Sequence, residues 1–360
     1  MSRAAAQLEA DLAPSRARAV VASPMDWSIA APFTLDPARD AWLVPFVPAG
    51  GQQFNLVAAR PRSSWHDRRS RMAEWGDWMS SWSQGREAWR SSRGGVITVF
   101  PQLAFVVGLH QRLHPIHRPV VAWCFNLGGL YGGIKRAAAR AAFAHVDRFI
   151  VHSRAEIARY AAWLALPQDR FRFVPLQRAE IPIVEREDDR QPFVLAMGSA
   201  RRDYANLFEA VRVSKHPTIV VAARHALEGL NIPPNVEVRS SLSSDECRRL
   251  AQRARVNVVP VINEHTASGQ VTLVEAMRMG RAVVATRCIG SEDYVESEST
   301  GLLVRPRSAI ELRRAIERLW DDPGLRRRLG NNAARFSAEH CSDEVAGAAL
   351  ARILDELRAK

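Results

Sequence analysis

The run Thr266-Ala267-Ser268-Gly269-Gln270, followed by Thr272 and Glu275, has the residue types of an anion site joined to a diol site. Thr266 and Ser268 are helix N-cap types, and Gly269 lets a bound group approach the backbone. The first N–H groups of a helix starting here would therefore face an anion, along the helix dipole. A diphosphate is the natural guest. At about 100° per residue, Leu273, Val274, Ala276 and Met277 cover a buried side, whereas Glu275 shares its side with Ser268 and Thr272. A carboxylate placed there can accept from two adjacent ribose hydroxyls in a fork. The simpler alternative is a surface Glu on an ordinary helix.

Two other constellations sit where an open parallel sheet would bind a ligand. Gly198-Ser199-Ala200-Arg201-Arg202 follows the apolar run Phe193–Met197, and either arginine could make a bidentate contact to a phosphate. Asn126 ends the run Pro119–Phe125 and precedes four glycines in six residues, Gly128, Gly129, Gly132 and Gly133, the pattern of a ligand-binding loop at a strand's carboxyl end. An amide at Asn126 can hydrogen-bond a sugar hydroxyl but cannot act as acid or base. His110, His114 and His117 have a spacing that invites a metal, but Pro115 breaks the helix, no carboxylate lies close in sequence and arginines surround them, so a solvated helix end is expected. Asp188-Asp189 lies in a charged stretch without periodicity and reads as a solvated linker.

The elements around these residues alternate strand and helix, which is the pattern of a parallel α/β fold. Val256–Val261 and Ala282–Thr286 are buried strands on either side of a helix ending at Gly280. Strands are also expected at Ala17–Ala22, Phe54–Ala59, Gly95–Phe100, Val146–Val151, Phe171–Pro175, Thr218–Ala222 and Val236–Val238. Ser153 with Glu156, and Ser243 with Glu246, have capping-box spacing at two helix starts. A helix over Ser64–Ser91 carries a stripe of Trp65, Met72, Trp75, Met79, Trp82 and Trp89 with several arginines. Covering a sheet is its ordinary role; a membrane-interface or acceptor-gripping helix is the alternative.

The stretch Glu275-Ala276-Met277, Gly280, Ala282–Thr286, Gly290 and Thr300-Gly301-Leu302-Leu303-Val304 with Pro306 resembles the retaining glycosyltransferases of family 4. That resemblance implies an α/β fold of GT-B type, with two Rossmann-like, doubly wound parallel-sheet domains facing across a cleft. The expected division is an acceptor domain at 1–180, a linker at 181–191, a donor domain at 192–340 and a terminal helix at 341–360 that returns to the first domain. The resemblance further implies that Glu275 holds the donor ribose. Gly198, Ser199, Arg201, Arg202, Ser268, Gly269, Gln270 and Thr272 surround the diphosphate and sugar, and Asn126 and Arg201 stand closest to the chemistry. In the family a second Glu precedes the first by eight residues. Here that position is Ala267, so sugar anchoring does not carry over, and Glu264 and His265 are the candidates to replace it. The acceptor is assigned to Gly50, Gly51, Gly128, Gly129, Trp75 and Trp82. No cofactor and no metal are expected beyond a nucleoside diphosphate sugar as donor substrate; the acceptor is a saccharide or a lipid-linked saccharide. A GT-B epimerase and a catalytically silent binding protein are the competing readings.

Composition sets the remaining bounds. The 360 residues, 47% of them hydrophobic, suffice for two ordinary cores. The four cysteines show no paired spacing, which fits a reducing compartment. No long apolar run or secretory leader is evident, so the expectation is a cytoplasmic chain, soluble or peripheral at the inner membrane face. Of the net charge of +12, the first 180 residues carry +10. Such a field suits a phosphorylated substrate or an anionic membrane; nucleic acid is not expected, because helical spacing buries part of the aromatic stripe.

Overall fold

The computed structural model describes residues 25–32, 42–48, 52–59, 75–262 and 265–359. The expected strand at Ala17–Ala22, the first part of the Trp-rich helix, and Gly50, Gly51 and Glu264 lie outside the described residues, as does the side chain of Trp75.

Two six-stranded sheets, parallel throughout, organise the chain. The first has the order β2-β1-β3-β4-β5-β6, with β1 at Met25–Ala30, β2 at Gln52–Val57, β3 at Gly95–Val99, β4 at Val120–Trp123, β5 at Arg148–Val151 and β6 at Phe171–Phe173. The second runs β12-β11-β10-β7-β8-β9, from β7 (Val194–Met197), β8 (Thr218–Val221), β9 (Val236–Arg239), β10 (Val256–Val259), β11 (Val283–Thr286) and β12 (Leu302–Val304). The central strands are buried at every position, as parallel strands covered on both faces must be.

One face of the first sheet is covered by α1 (Trp75–Ser91), α2 (Pro101–Arg112), α3 (Gly133–Phe143) and α4 (Arg154–Leu164), which pack Trp89, Leu103, Val107, Phe143 and Tyr160 against Val96, Val120 and Phe149. Nothing in the sequence pattern announces α3. The other face is closed from the far end of the chain. In α10 (Asp343–Arg358), Leu350, Ile353 and Leu354 pack on Trp27, Ile29, Ile97 and Trp123. Each such aliphatic side chain contributes about 1.5–3 kcal/mol on burial, so α10 is structurally part of the first sheet's core.

The second sheet is covered by α5 (Tyr204–Ser214) and α8 (Ala309–Asp321) on one face. On the other lie α6 (Ser244–Arg253), α7 (Gln270–Arg278) and α9 (Pro323–His340). Ser243 and Glu246 form the expected capping box. The stretch expected to be a solvated linker is instead pinned to this half. Asp188 pairs with Arg253 at 2.6 Å, and Glu187 meets Arg255 at 3.1 Å and Arg326 at 2.8 Å.

Candidate functional site

Parallel sheets present ligand sites at their strands' carboxyl ends, and here those ends meet. β10 runs through Pro260 and Val261 into the loop that starts α7. The cap of α7 is Gly269, at φ +81, with no side-chain cap; Thr266 and Ser268, the expected cap types, do not perform that role. Glycine is required at this position. A Cβ would lie 2.7 Å from Val259 Cγ1, in a backbone region that L side chains rarely adopt. Close by, a Cβ on Gly290 would come within 2.6 Å of Ser268 N, so Ser268 is held by backbone passing against backbone.

Arg202 lies beside the amino end of α7. Its Nε donates to Met197 O at 2.9 Å, Nη1 to Ala200 O at 2.9 Å and Nη2 to Thr272 Oγ1 at 3.2 Å. Burial pushes its pKa down, and no carboxylate among the described residues offsets that. Gly198, at φ +109, makes room for it: a Cβ there would sit 2.6 Å from Arg202 Nη2. Arg201, a non-glycine residue at φ +54, crosses the cleft and donates through Nη2 to Gly128 O. Ser199 Oγ accepts from Ala223 N at 2.8 Å, which shapes the same turn.

One helical turn beyond Thr272, Glu275 is shared between two cations. Its Oε1 is 3.6 Å from Arg178 Nε and 3.7 Å from Arg248 Nη2. The Nε atoms of both arginines are buried without a hydrogen-bond partner. Neither arginine was singled out from sequence. Arg178 enters from the segment after β6 and Arg248 from α6, so only the folded chain brings them to one carboxylate.

In the loop before α7, Ala267 is gripped from the other sheet at both of its polar backbone atoms. Ala267 N donates to Glu156 Oε1 at 3.0 Å, and Ala267 O accepts from Asn126 Nδ2 at 2.9 Å. Asn126 Oδ1 accepts in turn from Gly128 N at 2.9 Å, which orders the start of the glycine loop. Tyr160 Oη also donates to Glu156 Oε1, at 2.8 Å, while Oε2 is buried without a partner. Burial raises the pKa of this carboxyl against the pull of those hydrogen bonds. The capping box expected for Ser153 and Glu156 is therefore absent. Ser153 Oγ shares its one proton between Ile289 O at 2.6 Å and Asp293 Oδ2 at 2.8 Å, and Oδ2 also accepts from Arg154 N at 3.0 Å. Both box residues reach the second half of the molecule instead of closing the cap of their own helix.

Gln270 continues this seam, with Nε2 donating to His152 O, which also accepts from Tyr294 Oη at 2.8 Å. His152 Nδ1 is 2.7 Å from Val174 O and Nε2 is 3.2 Å from Cys124 Sγ. A carbonyl can only accept, so Nδ1 carries the proton and Nε2 accepts from the thiol. Burial lowers His152 to about 4 and pushes Cys124 up to about 12, so both stay neutral.

The remaining candidates are dispersed. His265 is exposed on the loop. Gly129 lies beside Gly128 near Arg201. Trp82 is 41% exposed with its ring tilted against His110 at 4.4 Å, while Trp89 is buried. His110 is itself buried, not solvated as expected. His114 lies tilted against Trp89 at 4.1 Å and His117 pairs with Asp147 at 3.3 Å, so the three histidines serve different neighbours. Among the described residues no group of three or more His, Cys, Asp or Glu side chains could hold a metal ion.

Residues 177–336, which contain α7, Arg202 and Glu275, match the family model for glycosyl transferases group 1. An alpha-D-kanosaminyltransferase of Streptomyces kanamyceticus is 30% identical over 217 residues, 56% of this chain and 55% of that protein. An MMP alpha-(1->4)-mannosyltransferase of Mycolicibacterium hassiacum is 33% identical over 111 residues, 31% of this chain and 26% of that protein. The match thus spans about half of the first relative and about a quarter of the second. Among solved structures, sucrose-phosphate synthase from Thermosynechococcus elongatus superposes with a TM-score of 0.67 at 19% identity, covering 93% of this chain and 89% of the other. Anabaena HepE, solved with UDP and glucose, gives 0.65 at 13%, covering 92% and 100%. The fold is GT-B, with two parallel α/β domains.

Proposed function

We propose that the chain is a retaining glycosyltransferase that moves a sugar from a nucleoside diphosphate donor to a saccharide or lipid-linked acceptor. One observation carries this reading: a half-buried arginine, Arg202, has no carboxylate partner among the described residues and lies beside the amino end of α7, whose cap Gly269 offers no side chain. A cation partly withdrawn from water without a counter-ion is well placed to take an anion, and a helix start adds its dipole to the same spot. The match of residues 177–336 to group 1 glycosyl transferases supports the choice of a nucleotide sugar as that anion.

In the proposed complex the diphosphate lies between α7 and Arg202. The ribose diol takes the carboxylate of Glu275, displacing one of its two arginines. The bond between the anomeric carbon and the donor phosphate oxygen breaks, the acceptor oxygen bonds to that carbon on the same face, and a leaving-phosphate oxygen receives the acceptor proton. Arg202 and the α7 N–H groups offset the charge that develops on the leaving group, a role for which no metal is required. Asn126 has its amide engaged with Ala267 and orders the loop around the donor. Residues 1–180 then form the acceptor side and 192–340 the donor side.

The test is a calorimetric titration with UDP, GDP, ADP and dTDP and their sugars, on the native chain and on Glu275→Ala. One nucleotide should bind, and the substitution should weaken it at least about tenfold, the value of one lost charge-assisted pair. Absence of binding by every nucleotide would refute the transferase reading in favour of a binding protein.

A further inference from the structure

The glycine loop after Asn126 and the helix that follows it form a projecting apolar edge. Leu130 is 37%, Tyr131 57% and Ile134 89% exposed. In α3 the buried side is Ala139, Ala142 and Phe143, and the side turned away from the core continues from Ile134 through Ala137 and Ala138, both exposed. A helix on a protein surface ordinarily shows polar residues to water; this one shows apolar residues on that side too. Gly132 and Gly133 have nothing within 4 Å of where a Cβ would stand, so the edge is open.

Its charge is one-sided. From Asn126 to Val146 the chain contains no Asp or Glu, while Lys135, Arg136 and Arg140 flank the apolar strip. Arg136 and Arg140 are held along one flank, each Nε donating to Trp163 O, at 3.0 and 2.9 Å. Trp163 Nε1 donates to Tyr131 O at 2.9 Å and braces the loop, and Lys135 Nζ lies 4.9 Å from the centre of the Tyr131 ring.

We infer that this edge, Leu130, Tyr131 and the outer face of α3, docks on an anionic lipid bilayer. Apolar side chains enter the headgroup boundary, Tyr sits at the interface, and Lys and Arg reach the lipid phosphates. A second copy of the chain fits poorly, because it would set the same three cations against each other. The docked orientation has a consequence for the cleft. The edge begins at Gly128, whose carbonyl receives Arg201 from the other half, so the cleft mouth lies next to the membrane. This placement differs from the membrane-interface role weighed as the alternative for the Trp-rich helix, whose Trp89 is buried and whose Trp82 leans on His110.

The experiment is co-sedimentation of the full chain with phosphatidylcholine vesicles, with and without phosphatidylglycerol. Variants Ile134→Asp and Ala138→Glu are run beside it; both positions are exposed, and a thermal melt reports their folding. The native chain should sediment only with phosphatidylglycerol present and should be released by salt. Each variant should partition about tenfold more weakly, as expected for adding a like charge at an anionic surface. Nucleotide titrations on the same samples report the donor site separately, so loss of one property does not imply loss of the other. The inference is overturned if the native chain ignores phosphatidylglycerol or if folded variants sediment as it does. A change of oligomeric state in Ile134→Asp without vesicle binding would also overturn it, in favour of a protein partner.

Discussion

Arg202→Met separates the site's two demands on this side chain. In the free protein the substitution removes donors from Met197 O, Ala200 O and Thr272 Oγ1. That costs about 1 kcal/mol per bond. It also removes a half-buried charge that no carboxylate among the described residues offsets, and relief of that partial desolvation acts in the opposite direction. The net change in stability should stay within about 2 kcal/mol, a shift of a few degrees in Tm for a chain of this size. Binding has no such compensation. A charge-assisted hydrogen bond to phosphate is worth about 1.5–3 kcal/mol, so a nucleoside diphosphate should bind about 10- to 100-fold more weakly. The corresponding nucleoside, which lacks the phosphates, should bind unchanged. Calorimetric titration of both ligands against both proteins, with thermal melts in parallel, measures all three quantities. Equal weakening of nucleoside and diphosphate would mean that Arg202 only shapes the loop, and unchanged diphosphate affinity would refute the anion site.

Gly198→Ala should reproduce much of this effect indirectly, since its Cβ would displace Arg202 Nη2 from 2.6 Å away at a φ of +109; a stability loss of about 1–3 kcal/mol with weakened diphosphate binding is expected by melt and titration. Asn126→Asp replaces the donor facing Ala267 O with an acceptor, which should cost about 2–3 kcal/mol and open the cleft, visible as a larger radius of gyration in solution scattering. Because the folded protein holds His152 near 4, below its ordinary 6.5, unfolded chains take up a proton that folded ones refuse as pH falls between those values. Stability should be fully present above about pH 6.5 and fall by up to about 1.4 kcal/mol per pH unit below it, and His152→Asn should flatten that slope in urea unfolding.

Local chemistry made the second half readable. Val-rich runs at β10 and β11, and the Ser243–Glu246 box, declare themselves within a few residues of sequence. The expected strand positions there agree with the structure to within a residue or two. β1 was unreadable because Trp27 and Ser28 acquire a buried environment only when the sheet closes and α10 returns from the chain's far end. The same limit explains the site. Ser153 and Glu156 have box spacing, yet partners 140 and 111 residues away outbid the local ones. The Glu275 position was legible from helical periodicity, but Arg178 and Arg248 were not, since no sequence spacing relates them to it.

The two kinds of contact that join the halves differ in what they demand of a foreign partner. At Ala267 the first half reads main chain, and the side chain is small and buried, so a second half whose loop follows the same path and keeps a small residue there can be held by Asn126 and Glu156. At Asp293 the first half reads a carboxylate, with Ser153 and the backbone of Arg154 both directed at it. Chimeras that graft a different second half onto this first half should therefore tolerate other small residues at 267 and fail to close unless an acidic residue is retained at 293.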